Sequence, residues 1–175
     1  MARNTRANFC HSRRPWLNQG NIMDKTQLLQ SVIDRLKQQL ATMQNALQTS
    51  HEAATGSESK SESKYDTRGL DASYLADAQK EQCQRLSEII STLNTFTPPP
   101  TQREPKAQLG SIVEIEHNTN IEHYFLLPSG GGITIEHEDH PITTLTPAAP
   151  LYQNILGKQP GDLIESYDLL ILEII

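Results

Sequence analysis

The 175-residue sequence predicts an α+β protein in which an antiparallel helical hairpin precedes a small β-rich domain. Three observations carry this prediction. Apolar residues recur with a helical period through the first hundred residues, and a polar Ser/Glu/Lys loop interrupts them midway. From Gly110 onward the apolar period shortens to two residues, which is typical of half-buried strands.

The helical half carries two apolar stripes with alternating steps of four and three residues, the spacing of a coiled-coil seam. Their members are Leu29, Ile33, Leu36, Leu40, Met43 and Leu47, then Ala72, Ala76, Gln79, Cys83, Leu86, Ile90 and Leu93. Facing positions such as Leu29 and Leu93 have numbers that add to a nearly constant sum, so the chain folds back near Ser61 and Glu62. The pattern predicts an intramolecular coiled-coil hairpin.

Local signals set the expected helix ends. The first helix should run from about Lys25 to about Ala53, with Asp24 as its N-cap. The second should begin between Asp66 and Asp71, either of which could cap it, and end near Phe96 because prolines follow. Each helix should be roughly 40 Å long at about 1.5 Å per residue.

These signals divide the chain into four segments. Residues 1–22 form a leader that is disordered or non-native, and residues 23–97 form the hairpin, with its tip near 56–68. Residues 98–107 form a stiff proline-rich linker, and residues 108–175 form the β-rich domain. Met23 directly precedes the helical pattern.

The charge is uneven along the chain. Residues 1–22 hold four arginines and no acid, so the net charge of −6 divides into +4 for this leader and −10 for the remainder. An acidic body is a poor binder of phosphate backbones, which favours a protein or metal partner. A basic arm that grips a partner is the alternative reading of the leader.

Cysteine usage and hydropathy restrict the cellular setting. Cys10 and Cys83 are far apart, so no disulfide framework is expected, and Cys83 at a seam position predicts a small buried residue. No apolar run approaches the roughly 20 residues of a membrane span, so no membrane association is expected. A cytoplasmic protein fits both observations.

The β-rich half predicts a mainly antiparallel sheet with one short helix. Strands are expected around Ile112–Ile115, Ile121–Leu127, Ile133–Ile135, Ile142–Leu145, Leu163–Ile164 and Leu169–Ile175, with a helix at Pro150–Leu156. Residues 130–132, three consecutive glycines, are expected to form a hairpin loop, since no Lys-Ser/Thr follows for a phosphate loop. His137 and His140 should flank a turn rather than bind zinc.

The C-terminal half contains the motifs Pro147-Ala148-Ala149-Pro150-Leu151, Leu156-Gly157-Lys158 and Gly161-Asp162. They resemble a helix and Gly-Asp turn in the FKBP-like domain of the Gre family of transcript-cleavage elongation factors. The hairpin resembles the family in architecture and in residues 72–82. The resemblance implies an FKBP-like C-terminal domain. The hairpin and this domain together extend the resemblance over the chain from Met23 onward.

The resemblance also implies a partner and a mechanism. Gre-like factors bind RNA polymerase as accessory factors, dock on the rim of its secondary channel and pass the hairpin inward. Carboxylates at the tip help to hold Mg²⁺ at the polymerase active site, near the 3′ end of the nascent RNA, and the polymerase cleaves backtracked RNA. Mg²⁺ is a hard cation that takes oxygen ligands, so acids on a rigid rod suit this role.

The resemblance assigns candidate residues to both ends of the protein. Glu58, Glu62 and Asp66 are the tip acids that would share Mg²⁺ with the polymerase, and no metal or cofactor is expected in the isolated protein. The expected polymerase-docking residues are Leu151, Leu156, Gly157, Lys158 and Asp162, of which Gly157 and Asp162 could equally be structural.

Three alternatives stay open. The tip lacks the family's usual acidic string, and Lys60 and Lys64 alternate with its acids, so the hairpin could occupy the channel as an inhibitor or competitor without cleavage. A prolyl isomerase would need an aromatic pocket built from Tyr124, Phe125, Tyr152 and Tyr167. A dimerising coiled coil is disfavoured because the mirrored stripes satisfy their own seam, so a monomer is expected.

Overall fold

A computed structural model describes residues 24–55, 68–137 and 140–175 of the chain. Helices α1 (Lys25–Thr55) and α2 (Arg68–Thr95) precede a sheet that also contains the short helix α3 (Pro150–Ile155). The strands are β1 (Ile112–His117), β2 (Asn120–Leu126), β3 (Thr134–His137), β4 (His140–Leu145), β5 (Leu163–Ile164) and β6 (Leu169–Ile174). The mixed architecture, an N-terminal helical region followed by a six-stranded sheet, is the predicted one.

The ends of the helices follow from capping and proline chemistry. Asp24 Oδ1 accepts a hydrogen bond from the Thr26 backbone N–H at 2.9 Å, so the predicted N-cap of α1 is confirmed. Asp71 is the fourth residue of α2 and is therefore not its N-cap, whereas Asp66 lies outside the described residues. α2 ends at Thr95, just before the prolines at 98–100 that cannot continue it.

The two helices are antiparallel at their base. Lys25 Nζ donates a hydrogen bond to the Pro99 carbonyl at 2.9 Å, which places the start of α1 beside the segment that follows α2. Burial lowers the pKa of this lysine, because desolvation disfavours the charged ammonium. Seam positions from Leu29 to Leu36 are buried, and Leu40, Met43 and Leu47 are only half-buried. Cys83 is buried, as predicted.

A second apolar surface on the hairpin, outside the predicted seam, packs on the sheet. Leu28 and Val32 are at most 1% exposed although neither belongs to the seam. They share one buried cluster with the hairpin residues Leu29, Ile33, Leu36, Ile90 and Leu93 and with the sheet-domain residues Ile112, Phe125, Leu127, Ile135 and Ile142. The hairpin base and the sheet therefore form one continuous core.

The sheet has the strand order β3-β4-β2-β1-β6-β5 and is mixed rather than wholly antiparallel. β2 pairs with β4 in parallel, and the other four pairings are antiparallel. The expectation that residues 130–132 form a hairpin loop is wrong, because β4 lies between the two strands that they connect. β3 lies at the edge of the sheet because Ile135 is its only buried residue, and a strand with little apolar surface is suited to an edge position.

Alternation along the strands divides the sheet domain into two cores. Ile112 and Phe125 face the hairpin, whereas Val113, Ile115 and Leu126 face the opposite side. On that side they join Tyr152 and Ile155 of α3 in a second buried cluster, together with residues of β5 and β6. The hairpin base thus packs on β1 to β4 from one face, and α3 packs on β1, β2, β5 and β6 from the other.

The proline-rich segment after α2 is fitted closely to the start of the sheet domain. Gly110 has a φ of +86°, and a Cβ placed there would collide with Pro99 and crowd Phe96. Gly132 has a similar φ of +79° but faces open space. Substitution of Gly132 therefore tests the energetic cost of the backbone conformation alone, whereas substitution of Gly110 adds the cost of the steric clash.

We predict that Gly132→Ala lowers the free energy of unfolding by about 1–2 kcal/mol, the cost of a left-handed backbone for an alanine. Gly110→Ala should lower it by about 3 kcal/mol or more, because overpacking adds to the same strain. Urea unfolding measures both. Equal losses for the two variants would show that the linker is not packed against Gly110.

The buried base and the exposed shaft of α2 offer a matched pair of leucines. Leu93 is 0% exposed and Leu75 is 61% exposed. We predict that Leu93→Ala costs about 3 kcal/mol of stability, whereas Leu75→Ala costs less than about 0.5 kcal/mol. A small effect at Leu93 in thermal or urea unfolding would contradict the packing of the hairpin on the sheet.

Candidate functional site

The predicted tip acids lie outside the described residues. Glu58, Glu62 and Asp66 fall between Thr55, where α1 ends, and Arg68, where α2 begins. Among residues 25–49 of α1, whose side chains the structure describes, Leu36 is the last buried one, and α1 continues for nineteen residues beyond it, about 28 Å at 1.5 Å per residue.

The distal shaft of the hairpin is polar and solvated. Residues 74–78 of α2 are all exposed, and its large apolar side chains Tyr74 and Leu75 are more than 60% exposed. Close charges on the exposed faces of the two helices are local pairs, such as Arg85 with Glu81 at 3.2 Å and Lys37 with Asp34 at 3.9 Å. Exposed pairs of this kind contribute little stability.

The five predicted docking residues lie on α3 and the loop that follows it. Tyr152 and Ile155 are the side chains that α3 buries, and Leu151 is half-buried against the same core. Leu156 directly follows the helix and is 46% exposed. α3 therefore anchors the segment inward and presents Leu156 to solvent.

Backbone hydrogen bonds fix the loop after α3. Gly157 has a φ of +78°, which glycine adopts without penalty, and its N–H donates to the Ala107 carbonyl at 2.7 Å. The Ala107 N–H in turn donates to the Lys158 carbonyl at 2.8 Å. The end of the linker is thus tied to the loop, and Gly157 has a structural role.

Asp162 also has a structural role in a tight turn. Its carboxylate oxygen Oδ2 accepts the Gln159 N–H at 2.8 Å, and its own N–H donates to the Gln159 carbonyl at 3.0 Å. The structure brings Leu156, Gly157 and Lys158 together as consecutive residues, with Asp162 four positions later. Leu156 and Lys158 are the members whose side chains have no structural role among the described contacts.

A buried polar pair lies on the helix-facing side of the sheet, and the sequence reasoning missed it. His123 Nε2 is 3.5 Å from Glu114 Oε2, and both side chains are less than 10% exposed. The His140 ring lies 5.4 Å from that of His123. Strand alternation could have indicated this pair, because Glu114 lies two residues after the buried Ile112 and therefore on the same face of β1. Within the described part of the chain, no group of three or more His, Cys, Asp or Glu side chains is placed to hold a metal ion.

The aromatic residues required by a prolyl isomerase do not share one pocket. Phe125 belongs to the core under the hairpin, whereas Tyr152 belongs to the core on the opposite face. Tyr167 is exposed, and the half-buried Tyr124 donates its hydroxyl hydrogen bond to Glu122. Burial and this hydrogen bond raise the pKa of Tyr124. The distribution of these four rings does not favour isomerase activity.

Comparison with known proteins gives likenesses to Gre-factor homologues. No protein-family profile and no curated protein matches the chain. Among solved structures, it is similar to the GreA factor homolog 1 (Gfh1) of Thermus thermophilus, with 20% identity over 82% of this chain and 94% of that chain, at a TM-score of 0.32. It is also similar to Thermus aquaticus Gfh1, with 20% identity over 81% and 92% and a TM-score of 0.33. A further structure of the transcription factor Gfh1 gives 22% identity, coverage of 74% and 80%, and a TM-score of 0.28. Likenesses of this degree establish neither a shared family nor a shared activity.

The described helices were also compared with the requirements of a membrane span. Among residues 24–55, 68–137 and 140–175, no helix combines sufficient length with sufficient apolar character to cross a membrane.

We predict that Asp162→Ala lowers stability by about 1 kcal/mol, because the Gln159 N–H loses its carboxylate acceptor. Leu156→Ala should change stability by less than about 0.5 kcal/mol, since half of that side chain is already in water. Chemical unfolding of the two variants measures the difference. A larger loss for Leu156→Ala would mean that Leu156 serves the fold and is a poor docking candidate.

Proposed function

We propose that this protein is a Gre-like factor that binds RNA polymerase and inserts a coiled-coil hairpin into the secondary channel. The observation that supports this most is the division of the hairpin into two parts. Its base shares a core with the sheet, and α1 continues about 28 Å beyond the buried Leu36. A rod fixed at one end can hold its tip at a defined distance from a docked domain.

The docking part of this proposal falls to the C-terminal domain, which we propose is FKBP-like. Residues 108–175 hold ten acidic residues and a single lysine, a net charge of −9 with histidines neutral. Such a surface is complementary to a basic protein surface and is repelled by nucleic-acid phosphates. Leu156 and Lys158 would supply contacts beside α3. The factor would act as a monomer in the cytoplasm, and its contact with the nascent RNA 3′ end would be indirect.

The tip part of the proposal assigns chemistry to Glu58, Glu62 and Asp66. Their carboxylates would help to hold a Mg²⁺ ion that is shared with the polymerase active site, where cleavage of backtracked RNA is catalysed. The factor itself would be an accessory and not an enzyme. Because Lys60 and Lys64 alternate with these acids, a channel occupant that blocks the polymerase without delivering metal is the second candidate.

The test is RNA cleavage in artificially backtracked elongation complexes with the cognate polymerase and Mg²⁺. We predict that the triple variant Glu58→Ala/Glu62→Ala/Asp66→Ala loses cleavage stimulation by at least about tenfold, since it removes every candidate metal ligand at the tip. The matched control, Asp34→Ala/Asp77→Ala/Glu81→Ala, removes the same charge from exposed positions of α1 and α2 away from the tip and should retain activity.

The remaining outcomes are equally informative. Absence of cleavage by the wild type, combined with competition against an authentic Gre factor, would establish the second candidate. Neither cleavage nor competition, with no binding of the polymerase, would overturn the proposed function.

A further inference from the structure

One strip of the helix-facing side of the sheet is left uncovered by the hairpin. Ile121 pairs with Glu116, Glu116 pairs with Leu170, and Leu170 pairs with Leu163, so these four residues form one row across strands β2, β1, β6 and β5. With adjacent strands about 4.8 Å apart, the row is about 14 Å long. It is called the Ile121–Leu163 row below.

Strand alternation places the whole row on the hairpin side of the sheet. Glu116 is two residues beyond Glu114 and shares its face, and Ile121 shares the face of Phe125. Leu163 and Leu170 alternate with Ile164 and Leu169, which are buried in the opposite core. The row therefore extends the surface on which the hairpin base packs.

The row is apolar at both ends and carries a carboxylate in its middle. Ile121 is 47% exposed and Leu163 is 50% exposed, whereas Leu170 and Glu116 are half-buried. Exposed acids in the connection from β5 to β6, Glu165 and Asp168, add negative charge nearby. A partner suited to this strip has apolar side chains next to a cation.

The chain itself contains such a segment. Arg13-Arg14-Pro15-Trp16-Leu17 places two cations beside two large apolar side chains, within a leader that holds four arginines and no acid. Its charge opposes the −9 of residues 108–175. Because Trp16 is tethered to the same chain, its local concentration at the row is high without a tight intrinsic affinity.

The tether is long enough to reach the row. The described chain begins at Asp24, and the neighbouring Lys25 lines one small cleft together with Ser111 and Ile175, at the start of β1. Glu116 lies four residues farther along β1, about 13 Å away. Seven residues separate Trp16 from Asp24, and the eight steps between them span about 26 Å in an extended chain.

We propose that residues Arg13–Leu17 dock on the Ile121–Leu163 row, with Trp16 against one of its apolar ends and an arginine beside Glu116. The segment thereby covers the open strip of the sheet next to the hairpin base. This inference is independent of the proposed function, because it needs no polymerase.

Trp16 is the single tryptophan of the chain, so its fluorescence reports on this segment alone. The experiment measures acrylamide quenching of Trp16 in the full chain and in the double variant Ile121→Ser/Leu163→Ser. If the segment is docked in at least half of the molecules, the quenching constant should be about twofold lower in the wild type. Glu116→Gln should give an intermediate value, and added salt should weaken the protection.

The matched control is Leu75→Ser, which removes an exposed leucine from the distal shaft and should leave quenching unchanged. Circular dichroism and thermal unfolding verify that every variant is folded. Equal accessibility of Trp16 in wild type and double variant would overturn the proposal. So would equal loss of protection in Leu75→Ser, or protection that grows with protein concentration, which would indicate that a second copy covers the row.

Discussion

The packing of the hairpin base on one face of the sheet is the interaction on which the rest of this structure depends. Leu28 and Val32 from α1 and Leu93 from α2 share a core with Ile112 and Phe125 of the sheet. In proteins most of the stability of a helix comes from the tertiary packing of one face, and the sheet supplies that packing at the hairpin base. Since the base is held by the sheet, the shaft can stay polar and can project without a further partner. The close fit of Gly110 to Pro99 restrains the same junction through the backbone.

Much of this fold could be predicted from the sequence because the signals are local. The N-cap at Asp24, the proline stop after α2 and the change of apolar period at Gly110 depend on neighbouring residues only. What could not be predicted depends on long-range packing. The seam pattern accounts for Leu29 and Ile33 but gives no reason for the complete burial of Leu28 and Val32. β2 pairs in parallel with β4 because β3 takes the edge of the sheet and β4 lies between them. The local sequence around residues 130–132 does not indicate this strand order.

The candidate site shows the same division. Gly157 and Asp162 stand out in the sequence as turn residues, and the described hydrogen bonds account for both through the fold. Leu156 and Lys158 stay predictions for docking, and Glu58, Glu62 and Asp66 stay predictions for metal delivery. The buried Glu114–His123 pair was missed because a charged residue between apolar neighbours was not treated as an inward-facing one. Together these features describe an acidic sheet domain that carries two long helices, and this arrangement is the basis of the proposed function.

The most direct test of this account is site-specific photo-crosslinking from the hairpin in elongation complexes. A photoreactive residue at Ser61, the predicted fold-back point, would be compared with one at Gln84, an exposed position on α2 close to the base. The account predicts that Ser61 crosslinks to the polymerase active-site region or the RNA 3′ end, whereas Gln84 crosslinks nearer the channel entrance. Crosslinks from both positions to the outer surface of the polymerase, or none from either, would contradict it.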